Sequence, residues 1–513
     1  MRPGRHRHLT LAASVTGAVI VALDGTVLTI AQPTLQRDLH ASFAQVQWTS
    51  TGYLIAVAAL LVLAGRLGDR YGHREIFAVG TLGFAATSAA LALAPDAGWV
   101  IGLRVAQGIF GALLQPATLG MLRAAFPADR LPMAIAVRSS AIGLAAAAGP
   151  LVGGALIAHF GWRSVFLLNV APALLIGGAA LAAPVPAPRD TGAGVGTGSK
   201  AGVGARTAPL GLTGACLLAA ALACLIHTLV EVPRTGWTAG TALGLAAAVA
   251  AGGAFAWHQR AAAHPLIPRQ VLASRALTAA LAVLLASSAT MFGALFVGSY
   301  FLQEVLALNP LQSGLHVLPL AVMMVVSAPV AAVLLRRQGP RRMAVGAMAL
   351  VSSGMLLLAG VERSAASPAM AGAFLMLGAG FGTVMVTATA VVVQQAPADD
   401  SGVSSGLKQT IMNIGPALGI ALATTSITLI APGLAAGQTG DAGSRWTAAA
   451  FGGAMGPTLL LLAAVTALGV PAALRLPSGA ADGGDHRPAW RDGRALARRG
   501  CRRAGNAPRR SPW

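Results

Sequence analysis

The sequence is poor in charged residues. Only 10% of its 513 residues are Asp, Glu, Lys or Arg, whereas a soluble protein carries about 25%. This shortage excludes a water-soluble fold for most of the chain, because most of the surface must face something other than water. Aromatic residues are also few, at 5%. The apolar residues are mainly Ala, Leu, Val and Gly, and small residues of this kind let lipid-embedded helices pack closely.

Patterns typical of catalytic and metal sites are missing as well. The three cysteines, Cys216, Cys224 and Cys501, have no C-x-x-C spacing, which argues against a zinc site or a disulfide framework. The stretch from Gly192 to Lys200 has Ser directly before its Lys, where a phosphate-binding loop requires Gly. The histidines lie mostly in loops and tails, without metal-ligand spacing. We therefore predict a protein that is not an enzyme and that has no cofactor and no metal site.

Long apolar runs, in contrast, fill the chain. A helix needs about 20 mostly apolar residues to cross a bilayer, and such runs leave no room for a soluble catalytic domain. The basic and then apolar N-terminus has no small-residue cleavage site and is interpreted as a retained first helix. We predict an all-α polytopic membrane protein with fourteen spans, at about 9–31, 46–65, 75–95, 98–122, 133–158, 164–184, 208–230, 238–257, 275–302, 312–335, 342–361, 367–392, 406–430 and 447–474.

The net charge of +20 would suit a nucleic-acid-binding protein, but its distribution indicates a membrane topology instead. If the N-terminus is cytoplasmic, the loops on that side hold eighteen Lys and Arg residues against five outside, without counting the C-terminal tail. Such a bias follows the positive-inside rule. It predicts a multi-pass protein of the cytoplasmic (inner) membrane, with both termini in the cytoplasm, the lipid bilayer as a partner and no nucleic acid.

Two segments interrupt or follow the series of predicted apolar spans. Residues 185–207 are rich in Pro, Gly and Ala and are interpreted as a flexible cytoplasmic linker. Residues 475–513 form an Arg-rich tail, expected to be disordered, that either attracts anionic lipid heads or is simply solvated. A short x-R-x-G-x-R pattern follows span 2 from Asp69 and span 10 from Arg336. Internal repeats of this kind are typical of secondary transporters.

Two ionisable residues lie inside spans at similar depth. Asp24 lies about six residues before the outer end of span 1, and Arg104 about six residues after the outer start of span 4. A charge inside a span costs roughly 2.5–3.5 kcal/mol on insertion scales and marks a candidate functional site. An ion pair would offset much of this cost. The alternatives are a purely structural pair, or an Asp24 that reaches to the outer interface.

Span 4 carries polar and small residues along one helical face, which comprises Arg104, Gln107, Gly108, Gly111 and Gln115. We expect this face to point to the bundle interior or to a water-filled cavity. Gln107 and Gln115 are the candidates for cavity-lining residues.

Span 5 contains GLAAAAGPLVGG, from Gly143 to Gly154. Pro150 should bend this helix, while Gly149, Gly153 and Gly154 should let a neighbour approach closely, as in any packing motif. Arg138 lies near the cytoplasmic end of the span and is expected to extend to the interface.

Together these motifs resemble those of the major facilitator superfamily, in particular its fourteen-helix drug:proton antiporters. The resemblance covers about residues 9–474. It is carried by LDGTVLTIAQPTL (Leu23 to Leu35), GRLGDRYGHREIF (Gly65 to Phe77), RVAQGIFGALLQP (Arg104 to Pro116), GPLVGG (Gly149 to Gly154) and GWRSVFLLNVAP (Gly161 to Pro172).

The resemblance implies roles for the motif residues. Asp24 and Arg104 would serve proton coupling. Met412 and Asn413 stand where relatives often carry Arg-Gln, which implies that coupling rests on the first half alone. The implied cytoplasmic gate loop comprises Gly65, Asp69, Arg70, Gly72 and Arg74, and the implied antiporter motif of helix 5 comprises Gly143, Gly149, Pro150, Gly153 and Gly154.

It also implies an architecture of two six-helix bundles with an extra helix pair between them, in a monomer. The expected parts are a cytoplasmic N-terminus (1–8), a first bundle (9–184), the linker (185–207), the extra pair (208–257), a second bundle (275–474) and the tail (475–513).

The expected activity is proton-driven export of small amphipathic drugs, antibiotics or related metabolites, with neutral or cationic substrates favoured by a cavity that offers one carboxylate. An importer or symporter on the same fold is one alternative. A membrane partner of an envelope or biosynthetic assembly, without transport activity, is another.

Overall fold

The structure is a computed structural model that describes residues 3–41, 43–182, 211–262, 265–308, 310–361, 368–397, 400–430 and 448–478. The predicted linker and most of the predicted tail lie outside these residues. Every regular element within the described residues is helical, which confirms the all-α prediction. They form α1 (Pro3–Asp38), α2 (Phe43–Tyr71), α3 (His73–Ala92), α4 (Ala97–Ala125), α5 (Leu131–Phe160), α6 (Arg163–Ala182), α7 (Leu212–Thr235), α8 (Ala239–Ala261), α9 (Arg269–Ala273), α10 (Arg275–Tyr300) with a π turn (Phe301–Val305), α11 (Pro310–Ala359), α12 (Pro368–Gln395), α13 (Ser401–Ile430), α14 (Ala448–Leu468) and α15 (Val470–Leu474).

Twelve helices in the described part are long and apolar enough to cross a membrane. The difference from the predicted fourteen lies in two places. Helix α5 is continuous over 30 residues, and of the residues whose side chains are described, Leu131–Ala145 form an apolar stretch too short to be one of the twelve. Helix α11 runs for 50 residues where two spans are predicted, and Gly339 interrupts it with a non-helical backbone (φ 75°, ψ 164°).

Glycines set the closest helix crossings. A Cβ atom at Gly65 of α2 would overlap the carbonyl oxygen of Gly402 on α13, so the two backbones touch. On α5, a Cβ at Gly149 would overlap the Thr26 hydroxyl of α1, and one at Gly153 would come 2.7 Å from Val27 Cγ1. The predicted close approach is therefore found at these positions.

Gly154 behaves differently, because no atom of the described residues lies within 4 Å of the position of its Cβ. The prediction of a close contact there is wrong. One residue rotates the helix by about 100°, and this turns Gly154 away from α1. Gly143 makes only ordinary contacts with Met324 and Val325 of α11.

Two sets of helix contacts place early and late parts of the chain face to face. Helix α2 packs along α13, and α5 packs along α11 and α12. Helices α7 and α8 pack on each other, and α7 also lies against α2 and α13. The first six helices and the helices from α10 onward thus share one interface, in which α13 contacts both α2 and α4.

Candidate functional site

Asp24 and Arg104 form an ion pair inside the helix bundle. Arg104 Nη1 donates to Asp24 Oδ2 at 2.6 Å, and each residue is only 1% exposed. The pairing predicted from their equal depth is therefore present in the structure, and Asp24 does not reach the outer interface.

Two amide side chains complete the environment of the Asp24 carboxylate. Asn169 of α6 donates to Oδ1 at 2.9 Å, and Gln107 of α4 donates to the same oxygen at 3.4 Å. Gln107 also donates to the Ser88 hydroxyl of α3 at 2.7 Å. The carboxylate thus receives donors from α4 and α6 in a place that water does not reach.

Arg104 is fixed on its other sides by α2. Its Nε donates to the Thr49 carbonyl at 3.1 Å, and its guanidinium lies 4.2 Å from the centre of the Tyr53 ring. Gly108 and Gly111 pack against Tyr53, which directs this face of α4 into the bundle. Gln115, the other cavity candidate, is also buried, with 6% of its surface exposed.

The opposite charges of Asp24 and Arg104 hold α1 against α4. Charge-assisted hydrogen bonds between a guanidinium and a carboxylate are strong when both ions are buried. Loss of the negative charge of Asp24 would leave Arg104 as an uncompensated buried cation, which is costly.

Sequence reasoning missed Asn169, Ser88 and Tyr53. Asn169 lies in the quoted run from Gly161 to Pro172, and an amide in an otherwise apolar helix is the signal that would have found it. The Tyr53 hydroxyl is buried and has no hydrogen-bond partner among the described residues.

A second polar contact joins α2 to the first turn of α13. Asp69 Oδ1 accepts from the backbone N–H of Gly402 at 2.7 Å, and Oδ2 accepts from that of Val403 at 3.0 Å. The Ser401 hydroxyl donates to Oδ1 at 3.4 Å. A carboxylate at a helix N-terminus satisfies free N–H groups and complements the helix dipole. Asp69 therefore ties α2 to α13.

Of the other predicted gate-loop residues, Gly65 also touches α13, at Gly402, whereas Arg70 and Arg74 contact residues of the first six helices. Gly72 ends α2 with a φ of 103°, a value that favours glycine. Arg74 donates to the carbonyls of Ala180 and Leu181 at the end of α6. Arg70 lies against the Tyr71 ring, 5.3 Å from its centre.

The structure contradicts the expectation for Arg138. The side chain does not extend to the interface, because the residue is only 4% exposed. Helices α11 and α12 pack along α5, so this helix has protein on more than one side.

Comparisons with known proteins show which proteins this chain resembles. Residues 15–420 match the family model described as the Major Facilitator Superfamily. The chain is 40% identical over 414 residues to the tetracenomycin C resistance and export protein of Streptomyces glaucescens, covering 80% of this chain and 74% of that protein. It is 32% identical over 483 residues to the puromycin resistance protein pur8 of Streptomyces alboniger, covering 92% and 91%.

A solved structure has the same fold at low identity. The human organic anion transporter MFSD10 (TETRAN) superposes with a TM-score of 0.61 at 13% identity, over 92% of this chain and 100% of that one. At this identity the similarity concerns the fold alone.

Proposed function

The chain belongs to the major facilitator superfamily, and on that premise we propose that it is a proton-coupled antiporter that exports small amphipathic drugs, antibiotics or related metabolites. It is a multi-pass membrane transporter related to drug and antibiotic efflux pumps, and not an enzyme. Two of its relatives are named for resistance to antibiotics, one of them also for export. This supports an antibiotic-like substrate class.

The observation that carries the proton coupling is the buried pair of Asp24 and Arg104, 2.6 Å apart. In the proposed cycle, Asp24 takes a proton from outside when it separates from Arg104. It releases the proton inward when the pair forms again, and this alternation drives export. Gln107 and Asn169 hold the charged carboxylate in the paired state.

The energy available suits a drug exporter. Each proton that moves inward along the membrane potential releases about 2.3 kcal/mol per 100 mV. For one-to-one exchange with a neutral drug, this supports roughly a fiftyfold concentration gradient at about 1.4 kcal/mol per tenfold.

We also propose fourteen crossings, arranged as two six-helix bundles (9–184 and 275–474) with an extra pair (208–257) between them. The 30 residues of α5 span about 45 Å, enough for one crossing. The 50 residues of α11 span about 75 Å, more than twice the roughly 30 Å apolar core. The break at Gly339 supports two crossings there.

The positive-inside bias supports a location in the cytoplasmic membrane with both termini in the cytoplasm. In this orientation the Asp69 contact with α13 lies on the cytoplasmic side and acts as the gate, with Gly65 at the point of closest crossing. The Gly149 and Gly153 contacts with α1 support helix 5 as the antiporter motif. The resemblance to the fourteen-helix antiporters supports a monomer.

Transport in everted membrane vesicles tests the proposal. With an acid lumen, the wild-type protein should accumulate ethidium or radiolabelled puromycin in the lumen, and a protonophore should abolish this accumulation. Matched vesicles without the protein give the background. Flux in the opposite direction would indicate the importer, and flux no greater than the background would indicate the partner without transport activity.

A further inference from the structure

Two buried cations, Arg138 of α5 and Lys408 of α13, lie at the same depth in two helices that both pack against α4 and α12. Lys408 is 2% exposed and Arg138 is 4% exposed. Each is the eighth residue of its helix, so each lies about 10 Å from the helix start. They are close enough for their charges to repel.

Neither cation has an acidic partner within the described residues. The nearby carboxylates contact other residues: Asp24 pairs with Arg104, Asp129 with Arg130, and Asp69 lies 3.4 Å from His73. The Arg138 Nε is buried without a hydrogen-bond partner. The ammonium of Lys408 has only the Gln409 side chain, at 3.5 Å.

A hydroxyl accompanies the pair. Ser404 lies one turn before Lys408, so both face the same side of α13. Ser404 is fully buried, and its hydroxyl has no partner in the described part of the chain. Arg138 Nε and the Ser404 hydroxyl therefore lack hydrogen-bond partners in the described residues, and the Lys408 ammonium has one long contact.

Burying these cations costs free energy unless an anion binds between them. An ionised side chain inside a membrane span normally pairs or serves a ligand, and two adjacent like charges raise the cost further. Arg offers a planar set of donors that matches a carboxylate, and Lys adds a point charge. A serine hydroxyl can donate as well. Together these groups match an oxyanion.

We propose that Arg138 and Lys408, together with Ser404, bind an ionised acidic group of the transported molecule, namely a carboxylate or a phenolate on an amphipathic aromatic scaffold. The inference rests on the proposed export function and defines its substrate class more closely. It adds an acidic class to the expected neutral or cationic substrates, because that expectation counted one carboxylate and did not assign Arg138 or Lys408 to a substrate site.

The position of the cluster connects it to the gate. Ser404 follows Val403, whose N–H binds Asp69, so the anion site begins one residue inside the α2–α13 contact. Helices α5 and α13 are also the fifth helices of the two proposed bundles. An anion held between them would join both halves next to the gate, where a substrate could influence its opening.

The test compares two probes that differ in charge. Anthracene-9-carboxylate and anthracene-9-carboxamide share a fluorescent aromatic scaffold, and their binding to the purified full chain in lipid nanodiscs is measured by fluorescence anisotropy. The wild-type protein should bind the carboxylate at least roughly tenfold more tightly, as expected for a hydrogen bond to a charged group.

Variants assign that preference to the cluster. Lys408→Met and Arg138→Met should each remove most of the preference and leave amide binding unchanged, whereas Lys408→Arg should retain it. Arg130→Gln is the matched control, because Arg130 is an exposed arginine before the start of α5. If Lys408→Met does not fold, the test relies on the ratio of carboxylate to carboxamide affinity in the wild-type protein, in Lys408→Arg and in Arg138→Met.

Three results would overturn the inference. The first is equal binding of both probes, or no binding of the carboxylate, by the wild-type protein. The second is a preference that survives both Met variants or a loss that affects both probes equally. The third is displacement of the carboxylate by millimolar chloride, which would indicate a resident inorganic ion. Ethidium export measured in parallel separates the proposals, because export without carboxylate preference defeats only this inference.

Discussion

The Asp69 carboxylate accepts a hydrogen bond from the backbone N–H of Gly402, a residue 333 positions further along the chain. Its second oxygen is bound by the next N–H, that of Val403. One acidic side chain on α2 thus closes the N-terminus of α13, while Gly65 and Gly402 allow the two backbones to touch. The Asp69 carboxylate thus binds the first turn of α13 at one end of the packing between α2 and α13.

Asp69→Asn should lower transport roughly tenfold or more without preventing membrane insertion. The amide keeps one acceptor oxygen but loses the charge that strengthens both hydrogen bonds. Ethidium flux in everted vesicles at matched expression measures the effect. Glu75→Gln is the control, since Glu75 is an exposed acidic residue on α3. Wild-type flux in Asp69→Asn would remove Asp69 from the gate.

Asp24→Asn should abolish export driven by a pH gradient. The substitution removes the titrating group but keeps its size and its hydrogen-bonding capacity, so the variant should insert normally and still bind ethidium. Asp24→Glu should retain part of the flux. If Asp24→Asn exports like the wild type under an imposed pH gradient, the coupling site lies elsewhere.

Asn169→Leu should reduce export several-fold, to a level between those of the wild type and Asp24→Asn. It removes a donor that lies 2.9 Å from the Asp24 carboxylate, and hydrogen bonds to charged groups are among the stronger ones. Substrate binding should persist, because Asn169 supports the ion pair. Leu167→Ala, at an exposed position on the same helix, is the control. Equal loss in both variants would indicate general damage to α6.

Single cysteines in a chain without native cysteines should report the topology. A membrane-impermeant maleimide added to intact cells should label Ser364→Cys, between the predicted spans 11 and 12. It should not label Ser199→Cys in the linker or Ser511→Cys in the tail. Permeabilised cells, in which all three should react, provide the control. Labelling of Ser199→Cys or Ser511→Cys in intact cells would invert the proposed orientation.

Two truncations should separate the role of the tail from that of residues 475–478. Deletion after Ser478 should leave transport largely intact. Deletion after Leu474 should lower the yield of folded protein, because Leu476 is fully buried and its carbonyl accepts from Arg341 Nε at 2.9 Å. Detergent-solubilised monomer, measured by size-exclusion chromatography, compares the two. Loss of transport in a normally folded Ser478 truncation would show a functional tail.

The depth of a residue in the membrane could be predicted from the sequence. The side of the helix on which a residue meets its neighbours was harder to predict. Span ends place Asp24 and Arg104 at one level, and that is why their pairing could be predicted. Whether Gly154 contacts α1, or whether Arg138 is covered, depends on which helices lie beside α5, and span positions do not contain that information. The partners of Asp69 are backbone N–H groups, which every residue except proline has, so no side-chain pattern reveals them.

The distance in sequence between Asp69 and Gly402 has a consequence for biogenesis. At roughly 5–20 residues per second, the ribosome needs about 17–67 s to extend the chain from one residue to the other. During this time α2 is already made, and its carboxylate has no helix end to bind. The nascent protein therefore lacks the contact between Asp69 and α13 during most of its synthesis. This contact can form only after α13 has been inserted into the membrane.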